Sequence, residues 1–99
     1  MTATKQFILK AYFFTGENCS VCTAIKPKLN HLFIEKFSQI PLKEVNIKDD
    51  PAFSAELSIF TIPALIVFVD DKEAARFVRI FSMQEVENTL QRLLNILDS

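Results

Sequence analysis

The sequence predicts a small α/β domain whose central mixed four-stranded sheet is flanked by helices on both faces, in the order β-α-β-α-β-β-α. Three observations lead there. Apolar segments of strand length, Phe7–Phe14 and Leu65–Val69, alternate with segments of helical spacing, which favours strands joined through helical crossovers. The last two strand-like runs are separated only by the acidic stretch Asp70-Asp71-Lys72, short enough for a hairpin although no glycine marks it. Ser82 and Glu85 stand at capping-box spacing ahead of an apolar stripe that runs to the C-terminus.

The first strand, Phe7–Phe14, is apolar almost throughout and is therefore expected at the centre of the sheet, covered on both sides. Gly16, the only glycine, falls in the loop after it. The first helix is expected to start near Asn18 as N-cap and to run to about Phe37, with Val21, Ile25, Leu29, Leu32 and Phe33 facing inward. Pro27 lies within it and removes one backbone donor, which predicts a kink. A second strand, Leu42–Lys48, is entered through Pro41, and Asp50-Pro51 opens a short helix with Asp50 as cap. The third strand is Leu65–Val69 and the fourth Ala75–Phe81. In the last helix Met83, Val86, Leu90, Leu93, Leu94 and Leu97 form an apolar stripe. Strands one and two need a crossover, so they are expected parallel and right-handed, whereas strands three and four form an antiparallel pair.

With 99 residues, 49% of them hydrophobic and ten of them Phe, the chain can fill one core, which predicts a single domain over 1–99. Eleven basic residues against twelve acidic ones recommend neither nucleic acid nor an anionic membrane as partner. The longest apolar run, Ile62–Val69, falls far short of the roughly 20 residues that span a bilayer. The N-terminal apolar stretch is interrupted by Lys10 and lacks a small-residue cleavage pattern, so it reads as a strand and not as an export signal. The expected location is cytoplasmic, where cysteines stay reduced unless they turn over.

Cys19-Ser20-Val21-Cys22 carries the chemistry, and it contains the only two cysteines in the chain. Two intervening residues let the first turn of a helix bring both sulfurs within bonding distance without backbone movement. A CxxC at a strand-to-helix junction points to thiol–disulfide exchange. The single histidine, His31, lies nine positions after Cys22, about half a turn around a helix, and reads as a structural residue directed away from the sulfurs. Two cysteines and one distant histidine do not complete a tetrahedral zinc shell, so no metal is expected. One glycine cannot build a phosphate-binding loop.

Together these residues resemble the thioredoxin family over nearly the whole chain, lacking only an extra N-terminal strand and most of a helix. Pro27, five residues beyond Cys22, matches the family's helix-kinking proline. Asn46-Ile47 followed by Pro51 resembles the end of the family's next strand, and Ile62-Pro63 ahead of an apolar strand ending in Phe68 resembles its cis-proline loop. The departures are specific. Asn18-Cys19-Ser20-Val21-Cys22 replaces Trp-Cys-Gly-Pro-Cys, and Thr23 stands where lysine is common. Phe13 takes the place of a buried acid, Glu44 that of the lysine paired with it, and Arg79 that of a glycine near the active site.

The resemblance implies a thioredoxin-like fold and a thiol–disulfide oxidoreductase that reduces protein disulfides. A free thiol is only about 3% ionised at pH 7, and a helix N-terminus lowers its pKa. Cys19 is accordingly the expected nucleophile and Cys22 the resolving thiol. Pro63 is expected to face the pair through a cis bond, with the Ile62 backbone pairing to an extended client and Val21 and Ile62 supplying an apolar rim. Glu44 is a candidate for proton transfer to and from Cys22, against the simpler reading of a half-exposed strand residue. No bound cofactor is expected, since the dithiol carries the two electrons. The implied partners are protein disulfides and a flavoprotein disulfide reductase as electron donor, and the expected state is a monomer. Two other readings use the same fold: a protein-binding module with little redox turnover, and an electron donor dedicated to one client such as a peroxidase.

Overall fold

Alternate side chains of the N-terminal apolar run enter two separate cores, and this fixes it as an interior strand. In the computed structural model, which describes residues 6–98, it forms β1 (Leu9–Thr15) between β2 (Leu42–Asn46) and β3 (Ala64–Val69). The sheet order is β2-β1-β3-β4, with β4 spanning Lys72–Val78. β1 runs parallel to β2, with Phe13 beside Glu44, and antiparallel to β3, with Phe14 beside Ala64. The connecting helices are α1 (Ser20–Lys36), α2 (Pro51–Glu56) and α3 (Met83–Leu97). This is the expected element order.

The two cores follow from strand periodicity. Ala11 and Phe13 of β1 and Leu65 and Val67 of β3 point to one side, where they meet Ile25, Leu29, Leu32 and Phe33 of α1 and Val86 and Leu90 of α3. Phe14 of β1 and Ala64, Ile66 and Phe68 of β3 point to the other, where Phe53 and Leu57 of the α2 region cover them. Tyr12 packs edge-on against Phe53 and Phe68 in that second core. Both faces of the sheet are therefore clothed by helices.

Element ends depart from expectation for local reasons. Phe7 and Ile8 precede β1 because Ile8 is tied to the hairpin turn: its N–H donates to Asp70 Oδ1 at 2.9 Å and its carbonyl accepts from Asp70 N at 2.8 Å. β4 starts three residues before the expected Ala75 and ends at Val78, short of the expected Phe81. Asp70 and Asp71 both adopt left-handed backbone, with φ of 50° and 67°, and close a two-residue hairpin without glycine. Strand pairing resumes at once with Lys72 opposite Val69, and a bulge between Val67 and Phe68 absorbs one extra residue. The charged start of β4 is tolerated because it is an edge strand. β2 stops at Asn46, two residues before the expected Lys48. Asp50 caps α2 through Phe53 N, with Pro51 in the first turn, and the Ser82–Glu85 capping box is formed in both directions.

Candidate active site

A sulfur, not the expected asparagine, begins α1. Cys19 is the N-cap and its Sγ accepts the backbone N–H of Cys22 at 3.1 Å. Asn18 lies one residue outside in left-handed backbone with φ 56°, a conformation that asparagine tolerates. The Cys19 carbonyl accepts from both the N–H and the hydroxyl of Thr23, at 3.1 and 3.2 Å, so the first turn closes around the residue that carries the outer sulfur.

The inward stripe differs from expectation only in its first turn. The buried residues of α1 are Cys22, Ile25, Leu29, Leu32 and Phe33, while Val21 is 51% exposed. Val21 was expected inside; at a helical step of about 100° per residue, burying Cys22 turns its neighbour out to solvent. Cys19 is half-buried and Cys22 only 3% exposed. The two sulfurs are joined as a disulfide with their Cα atoms 5.2 Å apart.

The Ile62–Pro63 peptide bond is cis. Pro63 is buried and immediately precedes Ala64, the partner of Phe14 at the end of β1. Because β1 and β3 are antiparallel, the loop leaving β1 toward Cys19 and the loop entering β3 through Pro63 lie at the same end of the sheet. Their contact is close: a Cβ placed on Gly16 would stand 2.6 Å from Ile62 Cδ1, so only glycine leaves the Ile62 side chain where it is. Arg79, at the far end of β4, joins this cluster by donating its backbone N–H to the Pro63 carbonyl at 2.8 Å.

Glu44 sits on β2 beside Phe13 and is exposed. One carboxylate oxygen pairs with Lys26 Nζ at 2.7 Å and the other accepts from the Thr15 hydroxyl at 3.2 Å. Lys26 follows Cys22 by one helical turn, so the Glu44–Lys26 pair flanks the helix face that carries the buried sulfur. His31 is exposed, 3.5 Å from Glu35, and lines a groove of about 720 Å³ between α1 and α3 with Pro27, Leu32 and Met83. Among the described residues, no three His, Cys, Asp or Glu side chains are grouped to hold a metal ion, and no helix is long and apolar enough to cross a membrane.

Three features were not visible in the sequence: the capping role of Cys19, the Gly16–Ile62 approach, and the tie between Arg79 and Pro63. The single glycine and the arginine in an unusual position were the available signals, but only the folded chain shows what each one touches.

Comparison with known proteins agrees with this geometry. The family model described as Thioredoxin matches residues 3–92. The chain is 28% identical over 92 residues to the thioredoxin-like protein YdfQ of Bacillus subtilis, covering 93% of this chain and 81% of that one. It is 35% identical over 82 residues to a thioredoxin of Chlamydia caviae, covering 83% of this chain and 76% of the relative. The solved structure of thioredoxin 1 from Thermosipho africanus superposes with a TM-score of 0.82 at 33% identity, covering 91% of this chain and 99% of that one. A bonded CxxC pair at the head of α1, a cis-proline loop at the same end of the sheet and a family match over most of the sequence lead to one conclusion: the chain belongs to the thioredoxin family.

Proposed function

We propose that this chain reduces protein disulfides, with Cys19 as nucleophile and Cys22 as resolving thiol. Family membership with an intact CxxC supports thiol–disulfide oxidoreductase chemistry in general. The observation that carries the finer reading is the difference in access between the two sulfurs: half-buried Cys19 can be approached, whereas Cys22 is 3% exposed.

Starting from the dithiol, the Cys19 thiolate attacks one sulfur of a client disulfide. The client S–S bond breaks, a Cys19–client S–S bond forms, and the other client sulfur leaves as a thiolate and takes a proton. Cys22 then loses its proton and attacks Cys19 Sγ, which expels the second client thiolate and closes the Cys19–Cys22 disulfide. Two electrons have passed to the client. The N-cap position supports the first step, because helix N–H groups and the positive end of the helix dipole favour a thiolate at Cys19.

In this reading the Ile62 backbone pairs with an extended client segment beside cis Pro63, and Val21 and Ile62 form an apolar rim. The exposure of Val21 and the contact of Ile62 with the Gly16 loop support that assignment. Glu44 moves the proton to and from Cys22, a role supported by its pairing with Lys26 one turn beyond that cysteine. A flavoprotein disulfide reductase returns the electrons. The reducing direction goes with a cytosolic setting, where the glutathione pool keeps dithiols reduced.

The test is reduction of insulin by dithiothreitol with catalytic amounts of the protein. Acceleration is expected. No acceleration favours the second reading, a binding module that keeps the fold and uses the apolar rim around Ile62, with exposed Val21 beside it, for protein contacts.

A further inference from the structure

Arg79 is held beside the cis proline at a cost to its own backbone. Its φ is 68°, in the left-handed region that glycine occupies freely and side-chain-bearing residues seldom do. Five described residues other than glycine have such a φ: Asn18, Ser58, Asp70, Asp71 and Arg79. Asparagine and aspartate tolerate it through local hydrogen bonding. Arg79 is the only one of the five with a long cationic side chain. What fixes it there is the 2.8 Å hydrogen bond from its N–H to the Pro63 carbonyl, a bond that glycine could make equally well. Backbone geometry therefore gives no reason for arginine at this position.

Charge does. The carboxylates around this end of the sheet are already taken: Glu44 by Lys26 at 2.7 Å and Glu17 by Lys48 at 3.2 Å. Arg76, on β4 three residues earlier, is engaged by Glu73 and by the Leu57 carbonyl. Arg79 is exposed and makes no ion pair among the described residues. Its neighbours Val78 and Ile80 are 39% and 91% exposed, so the guanidinium rises from an apolar stretch next to the proline.

We propose that Arg79 is a specificity-determining residue that selects client disulfides with a carboxylate side chain adjacent to the reacting cysteine. This rests on the reading of Cys19–Cys22 as a disulfide reductase. A client strand lying along Ile62-Pro63 passes the residue hydrogen-bonded to Pro63, where the planar guanidinium can take a carboxylate in a two-point contact. Ile80 lies against the apolar part of the same segment.

The experiment uses two synthetic peptides, each with one intramolecular disulfide, identical except for Glu or Gln next to the attacked cysteine. Reduction is followed under dithiothreitol recycling, with insulin as reference substrate. The expected ratio of kcat/KM, Glu peptide over Gln peptide, is about three- to fivefold at low salt, the size of a well-placed exposed ion pair. It should shrink as salt is raised, fall to about one in Arg79→Gly, and invert in Arg79→Glu. Glycine suits the left-handed backbone, so Arg79→Gly is compatible with the fold. Equal rates on the two peptides by the unmodified protein, with insulin reduced, overturn the role of Arg79 alone. A preference that survives in Arg79→Gly overturns it as well. If neither peptide nor insulin is reduced, the reductase reading itself fails and takes this proposal with it.

Discussion

Cys19 and Cys22 differ in access although one helical turn contains both, and the difference supports the roles proposed for them. Cys22→Ser should stall the cycle after the first exchange and accumulate mixed disulfides through Cys19, seen as dithiothreitol-sensitive adducts on non-reducing gels; Cys19→Ser should form none and lose insulin reduction altogether. Adducts formed only by Cys19→Ser would reverse the assignment, and adducts formed equally by both variants would remove it. Glu44 belongs to the same scale. Glu44→Gln keeps the hydrogen bond from Thr15 available but removes the charge that holds Lys26. The pH profile of disulfide reduction should then differ from that of the parent; an unchanged profile removes Glu44 from the proton route. The cysteine pair and the proline were legible because their chemistry is local to a few positions. Arg79 was legible only as an oddity, since its contact with Pro63 spans sixteen residues of chain.

Local signals defined some elements well and others only in outline. The last helix was read nearly to the residue, because a cap, a reciprocal N3 glutamate and a continuous apolar stripe all mark the same start. Ser82→Ala removes the acceptor for Glu85 N and should cost about 1 kcal/mol, which lowers the melting temperature by roughly 4–8 °C in a domain of this size. Thermal unfolding checks it, and an unchanged melting temperature would mean the cap contributes nothing. β4 shows the opposite case. Its first residues are charged, and its turn uses two aspartates in place of glycine, so the sequence pattern delayed its start. The Glu73–Arg76 pair helps hold that strand, and the guanidinium keeps the Glu73 carboxyl below its ordinary range. α1 shows a third kind of error, confined to its first turn: the cap is Cys19 and not Asn18, and Cys22 takes the buried place expected for Val21, while Ile25, Leu29, Leu32 and Phe33 face inward as read.

At the level of the molecule, the sheet holds two cores apart, and α1 belongs to the one shared with α3. Leu29, fully buried there, links the helix that carries the sulfurs to the rest of the structure. Leu29→Ala should cost about 2–5 kcal/mol, a large share of the roughly 5–15 kcal/mol by which such domains are stable. Urea unfolding measures it, and a loss under 1 kcal/mol would show that this contact is not central. The sequence by itself determined the order of elements, the central place of β1, the dithiol and the prolines around it. Each of these depends on periodicity, capping or spacing within a short window, where neighbours along the chain are also neighbours in space. Only the tertiary structure decided how far each sulfur is exposed, that Gly16 lies against the Ile62 side chain, and that the Arg79 backbone is bonded to the cis proline. Those depend on strands brought together from distant parts of the chain, where packing against a partner, not the residue's own preference, sets the outcome.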